Sequence, residues 1–173
     1  EGRVVWATGW QSLFEMTDQV GRLVGAGIKG HAATLKLDRA DLPQLFAETL
    51  HVVPHSDGTV AIGSTSEREF GDPTSTDELL DDLLVRARAA VPALEGAEVV
   101  QRWAGVRPRA RTRAPMLGPH PLRDGELIAN GGFKIGFGMA PKASEVMADL
   151  LLEDIDNVPP EFLPAASFPP VGI

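Results

Sequence analysis

Apolar residues follow two different spacings along the chain, and each spacing predicts a different element. Continuous or alternating apolar positions, typical of β-strands, occupy 4–7, 28–37, 99–106 and 126–130. Two further runs, 50–54 and 60–65, flank Asp57-Gly58, a pair that favours the tight turn of a hairpin. Pro54 lacks an amide hydrogen, so we expect its strand to lie at a sheet edge or to end there. The first strand, 4–7, is expected to be buried.

Apolar positions that recur every three or four residues predict two helices. The first is expected over 75–91, where Asp77 and its neighbours offer N-cap oxygens and Pro92 ends the run. Its predicted apolar face consists of Leu79, Leu80, Leu83, Leu84 and Ala87. The second is expected after Pro141, with Val146, Met147, Leu150 and Leu151 on one face. From Asn157 onward, frequent prolines indicate a tail rather than a packed element.

The order of these elements is strand, strand, hairpin, helix, strand, strand, helix. This order predicts an α/β (α+β) protein with a mixed, largely antiparallel sheet and helices. A chain of 173 residues has room for about one domain.

Composition and charge narrow the classes of partner. A net charge of −8 argues against nucleic acid or an anionic membrane as partners. The chain contains no cysteine, which excludes disulfides and thiolate metal sites. No apolar run approaches the ~18 residues that a membrane span requires, so a cytoplasmic protein is expected. Because the chain opens directly in a strand-like run without Met, we expect a piece of a longer protein, or a chain that pairs with another.

Gly25-Ala26-Gly27-Ile28-Lys29-Gly30 has the G-x-G-x-x-G spacing of dinucleotide-binding turns. That mechanism requires a helix to open at the third glycine, so that its N-terminus faces the pyrophosphate. The residues after Gly30 have a strand pattern instead. We therefore predict that this segment leads into a strand and does not bind a nucleotide.

The four histidines do not predict a metal site. His51 and His55 are four residues apart, but Pro54 and the hairpin pattern rule out a helical face that would bring both onto one ion. Ordinary surface or core histidines are the better interpretation, and no metal is expected.

Five arginines lie within twelve residues: Arg102, Arg107, Arg109, Arg111 and Arg113. In an extended segment the four odd-numbered side chains would share one side and form an anion site. An exposed edge strand or an interface with an acidic partner explains the pattern equally well.

The segment 129–141 is rich in glycine, with Phe133 and Lys134 between the glycines. Glycine lets the backbone approach a ligand closely, although such a turn often only joins a strand to a helix. Its combination with Arg107 favours a functional role.

Five stretches, in this order, resemble the C-terminal half of the D-amino-acid oxidase family, especially its glycine oxidase and sarcosine oxidase-like members. They are VVWATGW at 4–10, IKGH at 28–31, HVVPHSDGTVAIGSTSE at 51–67, RWAGVRPRARTRAPMLG at 102–118 and ANGGFKIGFGMAPKASEVMADLLL at 129–152. The resemblance implies an FAD-dependent enzyme that oxidises the C–N bond of a small amino acid or N-methyl amino acid by hydride transfer to FAD. The imine product would then hydrolyse to a keto acid and ammonia.

The resemblance also implies a division into domains. Residues 1–24 would end one segment of the FAD-binding domain, 25–115 would form the substrate-binding domain, and 116–155 would return to the FAD-binding domain, before a Pro-rich tail at 156–173. In the family, the pyrophosphate-binding fingerprint lies at the extreme N-terminus, which this chain lacks. The missing N-terminal half, in the same or a separate chain, is therefore an expected partner, and this chain alone is expected to bind FAD weakly and to be inactive.

Site residues are carried over at the positions that match. Arg107 corresponds to the arginine that binds the substrate carboxylate, and Lys134 to a second cation beside the flavin. The residues expected to line FAD are Ala7, Thr8, Gly9, Gly131, Gly132, Phe133, Ile135 and Gly136.

The chain departs from the family pattern near the substrate. It contains no tyrosine, and His51 stands where an aromatic hydroxyl is common, which makes it the third candidate catalytic residue. His55 replaces a usual basic residue. Because of these departures, the resemblance does not specify the substrate or the electron acceptor. The alternative function is a non-catalytic module that binds an anion or partner through the basic strip Arg102–Arg113.

Overall fold

The computed structural model describes residues 2–168, which divide into two compact units. The first unit combines 2–28 with 107–168, and the second is Lys29–Val106. Both contain helices packed on sheets with antiparallel pairing, so the predicted mixed α/β class is confirmed. No helix in the described part of the chain is long and apolar enough to cross a membrane.

The first unit contains a three-stranded sheet in the order β1-β8-β7. Its strands are β1 (Val5–Trp6), β7 (Met116–Pro119) and β8 (Leu127–Asn130). Strand β1 is parallel to β8, and β7 is antiparallel to it. The helices of this unit are α1 (Trp10–Val20), α3 (Gly136–Ala148) and α4 (Pro164–Ser167).

The first strand is exposed at Val4 and Val5 and half-buried at Trp6, which corrects the prediction that it is buried. Val4 is 45% exposed and Val5 is 36% exposed. The reason is its place at the edge of the sheet, where it pairs with β8 alone among the described strands. Apolar residues in a strand predict burial only when neighbours cover both of its faces.

Helix α1 and strand β7 were not predicted, although both contribute to the core of the first unit. Leu13 and Met16 of α1 are buried against Met116 of β7 and Ile128 of β8. A second cluster joins α3 to the sheet through Leu117, Leu127, Val146 and Met147.

Helix α3 begins at Gly136 rather than after Pro141, so the predicted start is wrong by about one and a half turns. Pro141 lies inside the helix, and Gly136 and Gly138 occupy its first turn. Glycine and proline have low helix propensity, so the sequence favoured a loop, whereas packing of Val146 and Met147 stabilises the helix.

The predicted unpacked tail is also wrong for its described part. Val158, Pro164 and Ser167 are buried, and Phe162 and Leu163 pack against the cluster that contains Leu117. The remaining residues of the predicted tail, 169–173, lie outside the described residues. Proline removes backbone donors but still supplies apolar surface, so a proline-rich segment can pack without regular pairing.

The second unit is built on a five-stranded sheet in the order β3-β4-β5-β2-β6. Its strands are β2 (Gly25–Lys36), β3 (Leu45–Ala47), β4 (Leu50–Pro54), β5 (Thr59–Gly63) and β6 (Val99–Ala110). The predicted hairpin is confirmed: β4 pairs antiparallel with β5, and Gly58 between them has a φ of 81°. Strand β4 ends at Pro54, which is the second of the two outcomes expected for that residue.

Helix α2 (Glu78–Ala90) packs on this sheet and confirms the first predicted helix. The Asp77 carboxylate caps it by accepting a hydrogen bond from the Leu79 amide at 3.0 Å. Leu80, Leu83, Leu84 and Ala87 are buried in the same core as the sheet residues Leu35 and Ile62. Leu79 was predicted on this face but is 39% exposed.

The G-x-G-x-x-G segment forms the start of β2, so the prediction that it leads into a strand is confirmed. A Cβ atom at Gly25 would lie 2.7 Å from the Arg109 carbonyl oxygen and 2.9 Å from a Leu13 methyl group. Glycine is required here because backbone and side chain of the same protein approach closely.

Two basic side chains are buried in the second unit and face two carboxylates. The His31 ring nitrogens lie 3.5 Å from Asp77 and 3.6 Å from Glu67, and the Lys29 ammonium lies 3.9 Å from Asp77. His31, Glu67 and Asp77 have ligand atoms within 4.8 Å of one another, which is a spacing that a metal could use. Lys29 and Asp77 form an ion pair, so the Lys29 charge offsets that of one of the two carboxylates.

Candidate active site

Arg107 and Arg109 lie at the end of β6, inside the first unit. Residues two apart on a strand point to the same side, and both arginines are half-buried. The guanidinium carbons lie 5.7 Å and 5.8 Å from the centre of the Phe133 ring, within the range of cation–π contacts.

A third cation lies near the ring of Phe133. The Lys134 ammonium lies 5.8 Å from the ring centre. Gly131, which follows β8, has a φ of 77°, and a Cβ atom there would lie 2.8 Å from the Cβ of Ala110. Gly132 then pairs with Arg109 in an isolated antiparallel bridge. The glycine pair therefore brings Phe133 and Lys134 against the end of β6.

The four odd-numbered arginines do not form one basic face, which corrects the prediction for an extended segment. Strand β6 ends at Ala110, and Arg113 adopts a left-handed φ of 71° in the turn beyond it. The Arg111 guanidinium donates hydrogen bonds to the carbonyl oxygens of Ser167 and Ala166, at 2.9 Å and 2.7 Å. Arg102 forms an exposed ion pair with Asp81. The alternative function through a continuous basic strip therefore loses its structural basis.

Asn130 is a buried polar residue that the sequence analysis did not single out. Its amide nitrogen donates hydrogen bonds to the Gly9 carbonyl and to the Ser12 hydroxyl, both at 2.8 Å. Its amide oxygen accepts a hydrogen bond from the Gly131 amide at 2.7 Å. Asn130 thus joins two candidate cofactor-binding segments, 7–9 and 131–136. The sequence feature that could have indicated this role is the position of Asn130, a polar residue at the end of an apolar strand and directly before two glycines.

Ala7, Thr8 and Gly9 connect β1 to α1 and leave their backbone accessible. Ala7 and Thr8 are exposed, and Gly9 has a φ of 71° at the N-cap of α1. The first turn of α1 contains no acidic side chain, and no side chain caps the helix. The positive N-terminal end of a helix suits an anionic or carbonyl acceptor.

An open cleft of about 340 Å³ adjoins the Phe133 ring. It is lined by Pro108, Gly132, Phe133, Gly136, Phe137 and Ala140. The side chain of Phe137 is fully exposed, and a Cβ atom at Gly136 or Gly138 would meet no atom within 4 Å. No side chain caps α3, and its first turn has no acidic residue. Bare backbone, an exposed ring and the positive N-terminal end of a helix fit a flat aromatic group with an electron-rich edge.

His51 lies in the second unit, on β4, and is exposed. Its Nδ1 atom lies 2.9 Å from the side-chain nitrogen of Gln44, and its ring centre lies 4.7 Å from that of Phe46. These two contacts hold the imidazole on the surface of the sheet.

Near β1, burial lowers the pKa of the His120 imidazole below its usual value, and the charge of Arg123 lowers it further, while Glu126 opposes the shift. The ring of His120 lies 6.0 Å from that of Trp6, whose indole N–H donates to Glu126. Two exposed carboxylates have pKa values lowered mainly by hydrogen bonds, Asp57 from the Thr59 hydroxyl and Asp72 from the Thr74 amide.

Comparison with known proteins identifies the family. The family model DAO, described as FAD dependent oxidoreductase, matches residues 1–150. The chain belongs to the FAD-dependent oxidoreductases. The resemblance that the five sequence stretches carry is therefore confirmed, and FAD is the cofactor of this family.

Several FAD-dependent oxidoreductases are similar to this chain. The glycine oxidase of Pseudomonas putida is 34% identical over 125 residues, which cover 72% of this chain and 34% of that protein. The glycine oxidase of Bacillus licheniformis is 32% identical over 128 residues, with the same coverage of 72% and 34%. The crystal structure of glycine oxidase from Geobacillus kaustophilus has a TM-score of 0.77 and 30% identity, covering 93% of this chain and 44% of that one. The chain spans about a third of the length of the curated relatives it matches.

Proposed function

We propose that the complete protein is an amino-acid oxidase or dehydrogenase that oxidises the C–N bond of a small amino acid or N-methyl amino acid by hydride transfer to FAD. The observation that carries this proposal is the meeting of Arg107 and Lys134 at Phe133, beside a cleft with accessible glycine backbone. The similarity to several glycine oxidases supports the choice of a small amino acid as substrate.

In this proposal Arg107 binds the substrate carboxylate. A guanidinium group presents two parallel N–H donors that match the two oxygens of a carboxylate. Half-burial against Phe133 reduces screening by water and restricts the side chain. Fixing the carboxylate holds the reacting carbon in one position relative to the cofactor, and this positioning lowers the entropic part of the barrier.

The proposed cofactor residues all belong to the first unit. They are Ala7, Thr8, Gly9, Gly131, Gly132, Phe133, Ile135 and Gly136. When bound, FAD supplies the acceptor for the two electrons that leave the amine carbon. Negative charge on the bound cofactor is stabilised by the positive N-terminal end of α3 and by the Lys134 ammonium. Asn130 contributes by holding segments 7–9 and 131–136 together.

We propose His51, on β4 of the second unit, as a catalytic residue. Its imidazole takes the place of the aromatic hydroxyl found in relatives, and Gln44 contacts Nδ1. Its Nε2 atom is the second ring nitrogen that can donate or accept a hydrogen bond. We further propose that 25–115 form the substrate-binding domain and that 1–24 and 116–155 belong to the FAD-binding domain.

We propose that an N-terminal FAD-binding half, in the same or a separate chain, completes the protein. The test is to compare FAD binding and turnover by this chain alone and by the extended protein that combines it with that half. In dinucleotide-binding folds, a glycine-rich strand–helix turn binds the pyrophosphate. In this chain the glycine motif at 25–30 lies in strand β2 instead. We therefore expect the 173-residue chain to bind FAD weakly or not at all in a fluorescence titration. The extended protein is expected to bind FAD stoichiometrically.

The extended protein, loaded with FAD, should lose its flavin absorbance band under anaerobic conditions when a small amino acid or N-methyl amino acid is added. Glycine, sarcosine and alanine of either configuration form the first panel, and acetate and methylamine are controls that lack one of the two required groups. Tight binding of FAD by the 173-residue chain would contradict the assignment of the pyrophosphate site. An unchanged spectrum with every amine would contradict the proposed reaction.

A further inference from the structure

Arg109 presents a second guanidinium group beside the one proposed for the substrate carboxylate. We propose that the substrate carries two carboxylates and that Arg109 binds the second one, an inference that rests on the proposed function, in which Arg107 binds the first. The substrate class is then an amino acid with a carboxylate on its side chain or on its amine nitrogen.

The geometry of β6 supports a paired site. Alternate residues of a strand lie on one side, about 6.6 Å apart along the backbone. The guanidinium carbons of Arg107 and Arg109 are both within 5.8 Å of the Phe133 ring centre. Two guanidinium groups that lie near the Phe133 ring, from neighbouring positions on one strand, suit a small molecule with two carboxylates separated by a short chain.

The charge balance of the site points to more than one anionic group. Three cations, those of Arg107, Arg109 and Lys134, surround Phe133. Among residues 2–168, no carboxylate forms an ion pair with Arg109 or Lys134. A ligand whose single carboxylate bound Arg107 would therefore leave the charges of Arg109 and Lys134 without an anionic partner among these residues.

Arg109 is better suited than Lys134 to bind the second carboxylate. Arg109 is half-buried and carries a planar fork, whereas Lys134 is exposed and offers a point charge. The Phe133 ring, near which Arg109 lies, also lines the open cleft of about 340 Å³, so an added carboxylate has room beside the ring. A volume of this size lies at the lower end of the range for ligand sites, about 300–1,000 Å³.

The experiment measures substrate selectivity with the complete protein loaded with FAD. Values of kcat/KM are determined for glutamate and aspartate of both configurations and for iminodiacetate. The reference substrates are alanine of both configurations, glycine and sarcosine. We expect the wild-type protein to prefer the dicarboxylates. In Arg109→Gln, which keeps polar donors but removes the charge, the ratio of dicarboxylate to monocarboxylate kcat/KM should fall about 10- to 100-fold.

Two variants serve as controls. Arg109→Lys keeps the charge without the fork, so its selectivity ratio should lie between those of wild type and Arg109→Gln. Arg102→Gln removes an exposed arginine of the same strand and should leave the ratio unchanged. Binding of succinate relative to propionate, followed by isothermal titration calorimetry, gives a second readout that does not require turnover, and Arg109→Gln should weaken succinate selectively.

The outcomes separate this inference from the proposed function. Oxidation of glycine or alanine in preference to every dicarboxylate would overturn the role of Arg109 and leave the proposed function intact. An equal loss for both substrate classes in Arg109→Gln would mean that Arg109 acts on the cofactor or the fold, and would also overturn it. If Arg109→Gln fails to fold, the wild-type preference and the succinate titration decide the question. A protein that oxidises no amine overturns both proposals.

Discussion

Arg107 has surroundings that differ from those of Arg102 on the same strand. It is half-buried against Phe133, whereas Arg102 forms an exposed ion pair with Asp81. A charge that is partly shielded from water gains more from a bound anion than an exposed one, because solvent screens the exposed pair. The same residue type in one segment therefore has two different energetic roles.

Replacing Arg107 should impair catalysis more than any other arginine substitution in this strand. Arg107→Ala is expected to reduce kcat/KM by an amount equivalent to roughly 3–5 kcal/mol, the scale of leaving one buried charge unpaired. Arg107→Lys should recover only part of the loss, because an ammonium group cannot reproduce the fork. Steady-state kinetics on the complete protein, with a panel of small amino acids, measures both effects.

Arg102→Ala is the matched control, and its effect should correspond to ~1 kcal/mol or less. Arg111→Ala should lower stability rather than kcat/KM, since that side chain binds the carbonyls of Ser167 and Ala166. Wild-type kinetics in Arg107→Ala, together with a large loss in Arg111→Ala, would refute the assignment of the carboxylate site.

At this scale the sequence predicted some positions well. Alternation along a strand correctly indicated that Arg107 and Arg109 share a side. It failed for Arg111 and Arg113, because the strand ends at Ala110 and nothing in the local pattern marks that end. Asn130 was missed because its partners, Gly9 and Ser12, are about 120 residues away in sequence. Contacts of that kind depend on the tertiary fold.

The G-x-G-x-x-G motif lies in strand β2, where its first glycine allows close packing. Gly25→Ala should destabilise the protein by about 1–3 kcal/mol, because the added methyl group would overlap the Arg109 carbonyl and Leu13. Urea unfolding followed by circular dichroism measures the change. The FAD dissociation constant of the folded variant, in the complete protein, should remain that of the wild type, because this segment serves packing.

Gly105→Ala on β6 provides the comparison, since a Cβ atom there would meet no atom within 4 Å. Its effect should be neutral or stabilising by less than ~1 kcal/mol. Equal stability of the two variants would show that the close approach at Gly25 is relaxed in solution. A selective loss of FAD affinity in Gly25→Ala would restore the nucleotide-binding interpretation of the glycine motif.

The elements that the sequence predicted correctly have strong local signals. Helix α2 has a capping aspartate, a regular apolar face and a proline beyond its end, and the β4–β5 hairpin has Asp57-Gly58 at its turn. The start of α3 at Gly136 has the opposite local signals, and burial of Val146 and Met147 overrides them. Strand β7 has only four residues, too few to produce a periodic pattern.

For the whole molecule, the buried His120 should make stability depend on pH in a defined window. Burial, assisted by Arg123, lowers the pKa of this imidazole in the folded state, so the unfolded chain binds the proton more readily. The free energy of unfolding should therefore decrease as pH falls below about 6.5, the usual histidine value, towards the lower folded-state pKa.

His120→Asn, whose side-chain oxygen could still accept the hydrogen bond from the Leu122 amide, should show a flatter dependence in this window. The two lowered carboxylate pKa values, of Asp57 and Asp72, act in a separate window below about 3.9, where protonation removes their contribution. Melting temperatures from pH 4.5 to 8 check the prediction. Parallel curves for the two proteins would rule out His120 as the responsible group.

The chain leaves the first unit along β2 and returns along β6, and these two strands are neighbours in one sheet. This connection has a consequence for the order of folding. Bringing 2–28 and 107–168 together directly requires closure of a loop of about 80 residues, whose entropic cost grows with the logarithm of its length. If Lys29–Val106 folds first, pairing of β2 with β6 reduces that loop to a few residues and lowers the closure cost by roughly 2–3 kcal/mol. Folding of the inserted unit then brings the two segments of the first unit together. During synthesis, β1 is made long before its partner strand β8, so we expect the two to pair only after the inserted unit has folded.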